Sequence, residues 1–209
     1  PVNVTGVVTA RDHLVIDFDA SALLERIAEL RNALVPDSVI RKQYFANPRS
    51  SRYVPGDTRG WKLPNAREKL RTDKCWRDRL AHIYYRPFDT RRIYYADWMV
   101  DWPRMEGMPH LLAGDNIGFI TVRRVPPNAE CGFFSVSRAP AINGSIRSDN
   151  QSIDYQFPLY LYPGVGKSDG SLFHTWPEGK GGRQPNLDPD FVEAIEQATG
   201  LTFISDGRG

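Results

Sequence analysis

Few residues in this sequence have the types and spacing that chemistry needs. The stretch "YPGVGKSDGS" ends in Gly166-Lys167-Ser168, like a loop whose backbone amides cradle a phosphate, but the first glycine of that pattern falls on Leu161 and no clear helix follows. The four histidines, His13, His82, His110 and His174, form no His-x-x-x-His pair and have no Glu beside them, so they do not read as a metal centre. "EGK" at 178–180 brings a carboxylate near a lysine, as a metal-dependent nuclease requires, yet it sits in a glycine-rich loop without an upstream Asp on a strand. Asn47-Pro48 runs into Arg49-Ser50, so the Asn-Pro-Pro-aromatic signature of amino-directed methylation is missing. Two cysteines, Cys75 and Cys131, are too few for a disulfide framework or a cysteine-based zinc site.

Binding chemistry is better represented. "YYRPFDTRRIYY", residues 84–95, interleaves arginine with aromatic residues. A guanidinium makes paired hydrogen bonds to a phosphate or to guanine O6 and N7, and a neighbouring tyrosine can pack its stem. The chain's net charge of +2 conceals a strong asymmetry: residues 41–92 hold 15 Lys and Arg against 5 Asp and Glu, a net +10, which leaves −8 elsewhere. Such a block is either a solvated face with counter-charges folded against it or an electrostatic footprint for nucleic acid.

The elements that must position these residues read as α+β, mixed sheet with several short helices. The 209 residues suit a single domain, 1–209. The chain opens on Pro1 with a strand pattern under way, which reads as a piece of a longer polypeptide. "VNVTGVVTA" and "HLVIDFD" predict a strand pair about a turn at Arg11-Asp12. Leu23, Leu24, Ile27, Leu30 and Leu34 share a helical face between a cap at Asp19 or Ser21 and a stop at Pro36, and a short helix follows near 37–45. Residues 47–64 form a basic loop and 65–73 a helix. Two strands over 80–97 flank a type I turn with Pro87 in its second place, fixed by Arg86 and Asp89, where Asp89 pairs Arg86 or Arg91. Tyr85, Phe88, Ile93 and Tyr95 are assigned to the core. A helix spans 104–113; strands follow at "NIGFITVRR", "CGFFSVS" and "YQFPLYLYP", the last marked by Pro158 as an edge or a bulge. Residues 163–187 read as a loop, and Asp188, Pro189 and Gly200 punctuate a closing helix. No run of 18 apolar residues and no secretory pattern occurs, which predicts no membrane partner and a cytoplasmic location.

"YYRPFDTRRIYY", "PRMEGMPHLLAGDNIGFITVRR" and "QFPLYLYP", with "GVVTARDHLVIDFD" before them and "PNLDPDFVEAI" after, resemble in order and spacing the C-terminal specificity domain of single-polypeptide type I restriction-modification enzymes, the Type ISP group. The resemblance implies a target recognition domain that reads a short asymmetric sequence in double-stranded DNA. Nuclease, ATP-driven translocase and adenine-methyltransferase modules then lie elsewhere in the parent, together with S-adenosylmethionine, ATP and Mg, and this fragment needs no cofactor, metal or catalytic residue of its own.

Such a domain uses phosphate contacts for position and base-edge contacts for discrimination. Arg49, Arg52, Arg59, Lys62 and Arg92 are the phosphate candidates. Arg123, Arg124, Arg138, Asn143, Arg147 and Asn150, in the polar segment after "NIGFITVRR", are the candidates for base or groove contact. Two other classes stay open: a coupling module that packs against the methyltransferase or motor without base readout, whose sign would be an exposed apolar patch, and a small nuclease or other hydrolase.

Overall fold

The computed structural model describes residues 1–47, 52–129, 132–147, 152–164 and 182–204. In chain order these form β1 (Val4–Thr5), α1 (Asp12–Val15), β2 (Ile16–Asp17), α2 (Ala20–Arg31), α3 (Asp37–Tyr44), α4 (Leu63–Thr72), a 3₁₀ turn (Trp76–Arg79), β3 (Leu80–Arg86), β4 (Asp89–Tyr94), α5 (Met108–Leu112), β5 (Gly118–Val122), β6 (Phe134–Ser137), β7 (Asp154–Pro158), β8 (Tyr160–Leu161), β9 (Gln184–Pro185) and α6 (Pro189–Thr199). The fold is α+β, and among the described residues every strand pair is antiparallel. Residues group into two compact units, one of Val7–Pro103 and one of Pro1–Gly6 with Arg104–Gly209. Among the described residues no helix is long and apolar enough to cross a membrane.

In the unit Val7–Pro103, the expected hairpin about Arg11-Asp12 does not form. Residues 12–15 are instead a helical turn, and β2 pairs β4 through Ile16↔Ile93. The cause is Arg11, whose guanidinium turns inward. It donates to the carbonyls of Thr9 (2.8 Å) and Met99 (3.1 Å) and to Asp101 (2.7 Å), and it lies 3.9 Å from the centre of the Trp61 ring. Asp12 meanwhile accepts the Thr9 hydroxyl.

Helix α2 starts where its cap predicts, with Asp19 accepting from the Ser21 amide (2.7 Å), and it buries Leu23, Ile27 and Leu30. It stops at Arg31, short of Pro36, so Leu34 lies beyond it and is exposed. The early stop is fixed by Arg67 on α4. This buried side chain donates to the carbonyls of Leu30 (2.8 Å), Asn32 (2.6 Å) and Val35 (2.6 Å) and pairs Asp37 at the start of α3. One guanidinium thus satisfies carbonyls that a helix end leaves orphaned. Helix α4 itself begins at Leu63, which takes Pro64 out of the predicted loop and into the first turn, where its missing N–H costs nothing.

Strands β3 and β4 form the predicted hairpin, in register from Leu80↔Tyr94 to Arg86↔Asp89 with an irregularity at Tyr84/Arg86. Its turn is not type I. Phe88 has φ +64°, a left-handed value at the third position that belongs to a type II turn. The aromatic assignment also changes: the core takes Ile83, Tyr84, Ile93 and Tyr94, whereas Tyr85 and Tyr95 are half-buried and Phe88 is fully exposed. Consecutive strand residues point to opposite faces, so burial of Ile83 with Tyr84 means that the sheet is covered on both faces. Alternation, which guided the assignment, is then lost.

In the other unit the main sheet runs β1-β7-β5-β6. Pro158 does not mark an edge strand, because β7 lies between β1 and β5. It ends β7, past Gln156, the last residue that β1 pairs, so its missing N–H interrupts no ladder. The predicted 104–113 helix shrinks to Met108–Leu112: Arg104 is left-handed (φ +58°), and Pro109 falls in the first turn of α5. Of the segment 163–187 read as a loop, 165–181 lies outside the described residues, and Gln184–Pro185 pairs β8. Helix α6 matches its punctuation, with Asp188 accepting from the Asp190 amide (3.0 Å) and Gly200 left-handed at the end, but it buries no residue.

Two buried groups give measurable expectations. Replacing Arg67 with Ala orphans three carbonyls and Asp37, and should cost about 3 kcal/mol in urea denaturation, with the amides of 31–37 losing hydrogen-exchange protection. His110 accepts from the Tyr162 amide through Nδ1 (3.0 Å), and burial holds its pKa below the ordinary value. The unfolded chain therefore takes up this proton first. Stability should be full above about pH 6.5 and fall on acidification below it, by up to about 1.4 kcal/mol per pH unit, and His110→Asn should flatten that part of the profile.

Candidate nucleic-acid interface

On the unit Val7–Pro103, the loop between α3 and α4 carries the phosphate candidates. Asp57, nearly buried, accepts from Arg41 (2.9 Å) and from the Leu63 amide (3.1 Å), and so fastens the loop to the helices on either side of it. Tyr53 stands above this post. The Lys62 ammonium lies 4.8 Å and the Arg52 guanidinium 5.5 Å from its ring centre, and Lys62 also reaches Asp57 at 3.8 Å. Arg59 is exposed on the same loop. Arg49 lies outside the described residues. A cleft of about 260 Å³ opens here, lined by His13, Tyr44, Phe45, Tyr53, Val54 and Asp57. The Tyr44 phenol is pushed up to about 12 by burial and by its hydrogen bond to Glu29, so it stays protonated as a donor.

Arg92 belongs to a different element. It sits on β4 opposite His82, with 3.4 Å between Nη1 and the histidine Nδ1, and partial burial followed by the Arg92 charge lowers the His82 pKa. Asp89 pairs Arg91, not Arg86, accepting two bonds from Nε (3.0 and 3.1 Å) and one from Nη2 (2.7 Å). Arg86 instead donates to the Tyr85 carbonyl (2.7 Å). Several arginines of the basic block are thus structural: Arg41, Arg79 and Arg91 pair with Asp57, Asp73 and Asp89. Those three acids belong to the same segment and are already counted in its excess of +10. Arg67, buried against Asp37 outside the segment, does subtract from it.

On the other unit, Arg123, Arg124 and Arg147 come together beyond the end of β5. Arg147 Nη1 donates to the Arg124 carbonyl (2.6 Å), the Arg124 amide donates to the Ser152 hydroxyl (3.2 Å), and the Arg123 guanidinium lies 5.5 Å from the Tyr155 ring centre. Both Arg123 and Arg124 are exposed. Arg138 is not part of this group. It follows β6 at the Gly118 end of β5, roughly 15 Å away along the strand. There it pairs with Asp115 (2.5 Å), which Arg183 also approaches (3.9 Å). Asn143 is exposed on the intervening loop, and Asn150 lies outside the described residues.

Two residues that sequence reasoning passed over hold this loop. Asp154 and Gln156, at alternate positions of β7, point inward and are almost wholly buried. Asp154 accepts the Ser145 hydroxyl (2.8 Å) and the Ile146 amide (2.9 Å), while Gln156 accepts the Ala141 amide (2.8 Å) and donates to the Ala139 carbonyl (3.0 Å). Gly6 completes the clamp, since a side chain there would collide with the backbone at Ile142 and Asn143. The available signal was polar residues at i and i+2 in an otherwise apolar strand. The result is a rigid base under an arginine-bearing loop, suited to presenting guanidinium forks to fixed acceptors.

Among the described residues, no three of His, Cys, Asp and Glu are grouped to hold a metal ion. No curated protein matches the sequence. Three solved structures share the fold: a DrdV–DNA complex (17% identity, TM-score 0.57, covering 98% of this chain and 18% of that one), the ATP-dependent Type ISP restriction-modification enzyme LlaBIII bound to DNA (15%, 0.57, 96% and 12%), and a nuclease-deletion mutant of the Type ISP enzyme LlaGI with a DNA substrate mimic (15%, 0.51, 78% and 13%). This chain therefore spans less than a fifth of each of those proteins. A family model described as the Type ISP C-terminal specificity domain matches residues 1–207, and the chain belongs to that family.

Proposed function

We propose that this chain is the DNA target recognition domain of a Type ISP restriction-modification enzyme, reading a short sequence in duplex DNA for methyltransferase, translocase and nuclease modules of the same polypeptide. The observation that carries this reading is the family match, which spans residues 1–207. In it the chain performs no bond chemistry; S-adenosylmethionine, ATP and Mg²⁺ serve the other modules, and the polypeptide works in the cytoplasm. Arg52, Arg59 and Lys62 neutralise phosphates from the loop that Asp57 braces, and Arg92 does so from β4. Arg147 reaches base edges from the loop that β7 clamps, and Arg123 and Arg124 from the end of β5 beside it, with Arg138 at the start of the clamped loop and Asn143 midway along it. A guanidinium held by its own backbone neighbours loses little freedom on binding a guanine edge.

A second reading has one feature in its favour. Phe119, Phe134 and Val136 are exposed on a single sheet face, with the rings of Phe119 and Phe134 stacked at 6.2 Å. An apolar patch of this kind fits a coupling surface for the methyltransferase or motor. If coupling were the whole function, removing the chain would abolish assembly, and the isolated chain would bind no DNA.

Fluorescence anisotropy against duplex DNA at several salt concentrations separates these readings. Recognition predicts that log K falls against log salt with a slope of about −0.9 per neutralised phosphate, and several phosphates' worth in total. Lys62→Ala should weaken all sequences alike and reduce that slope by about one, whereas Arg124→Ala should cost roughly 1 to 3 kcal/mol on the selected target and little on scrambled DNA. Equal losses on both duplexes would remove Arg124 from base readout. Asp154→Ala should also lower target affinity, although Asp154 is buried beneath the loop, and hydrogen exchange should show the amides of 141–147 losing protection.

A further inference from the structure

We propose that Phe88 is a wedge whose ring enters the base stack of duplex DNA at one step, an inference that rests on the DNA-recognition reading and adds a distortion to it. Phe88 occupies the tip of the β3–β4 hairpin, in a two-residue turn with Pro87 between Arg86 and Asp89. Its φ of +64° is a conformation that glycine or asparagine adopts readily and a bulky side chain does not. Its relative exposure is 107%, so the ring gains no burial in return. A strained backbone that holds a large apolar ring in water contributes nothing to the fold, and strain of this kind collects at functional sites.

The base of the hairpin is braced. Arg91 lies between two rings, 3.8 Å from the centre of Tyr85 and 4.3 Å from that of Phe18, while Asp89 grips its guanidinium. Tyr85 donates to Asp12 (3.1 Å), and Arg86 lies 4.6 Å from the Tyr85 ring while donating to the Tyr85 carbonyl. The ring of Pro87 fixes its own φ. Phe88 thus projects from a stiff ribbon and not from a mobile loop, so little ordering cost attends its insertion.

Charge favours DNA over a protein partner. Residues 77–92 carry five arginines and two aspartates, within the segment that holds the chain's positive excess. Apolar wedges such as Phe and Pro, delivered beside basic side chains, part base steps and bend the duplex. A two-stranded ribbon is also narrow enough to enter a groove.

The test needs no knowledge of the target sequence, because a wedge favours any duplex in which unstacking is already cheap. The full chain is titrated by anisotropy with a short duplex of arbitrary sequence and with the same duplex carrying one central mismatch. The wild type should prefer the mismatched duplex by roughly tenfold. Phe88→Ala should lose that preference while binding the intact duplex within about twofold of wild type, and Phe88→Leu should keep part of it. Phe88→Gly should also lose the preference, yet melt at the wild-type temperature or above, since it relieves the left-handed strain. A preference unchanged in Phe88→Ala, or no preference in the wild type, overturns the wedge and leaves DNA recognition standing. Failure of the wild type to bind either duplex overturns both.

Discussion

A polar side chain taken out of water must find its partners inside the protein, and most of this fold is organised around side chains that obey that constraint. Its regular elements are short and its connections long, so few ladders span the chain. Long-range order comes from buried polar groups that each fasten several backbone sites. Arg11 ties residues 9, 99 and 101 together, and Arg67 does the same for residues 30 to 37. In the other unit Asn116 joins the carbonyls of His110 and Tyr160 and accepts the Tyr160 amide, while Asn186 bonds both the amide and the carbonyl of Val2. An apolar residue of equal volume would fill the space but leave those backbone groups unsatisfied, at about 1 to 3 kcal/mol each.

The same device separates the scaffold beneath a loop from the side chains that the loop displays. Asp154 and Gln156 bond the loop through backbone atoms and one hydroxyl, so most of the clamp is indifferent to the side chains that the loop displays. Arg147 and Asn143 could change identity without disturbing it. Asp57 plays the corresponding part for the basic loop, where it engages the Leu63 amide and Arg41 and leaves Arg52 and Arg59 outside its grip.

What could be read from the sequence was local. The hairpin of β3 and β4, the Asp19 and Asp188 caps and the Gly200 stop depend on residues a few places apart, and their grammar is complete within a short window. Errors arose wherever the deciding partner was distant. Val4 finds Gln156 and Ile16 finds Ile93, so a hairpin inferred from two adjacent strand-like runs had no means of competing. The charge block was legible as a count, but not its division into Arg67, turned inward, and Arg59, turned out. Of the site residues, the grouping of Arg123, Arg124 and Arg147 follows from β7 running antiparallel to β5, a pairing that periodicity does not encode. The inward carboxylate of Asp154 and amide of Gln156 looked like ordinary strand polarity until their partners were known.

Exposed apolar groups fall into two kinds here, and the difference bears on function. Phe119, Phe134 and Val136 arise from regular β geometry: alternation sends every second residue of β5 and β6 to one face, and the face carries no strain. Such a surface is complete once something flat covers it, and shape alone decides what fits. Phe88 is the opposite case, a single ring at a turn whose backbone would be more at ease with glycine. A broad, relaxed face suits a permanent neighbour, because its area accumulates into binding energy. One strained ring on a stiff, basic ribbon adds little area and gains its worth only where one inserted group changes the partner's conformation. Stacked bases are such a partner, since parting one step alters the path of the whole duplex.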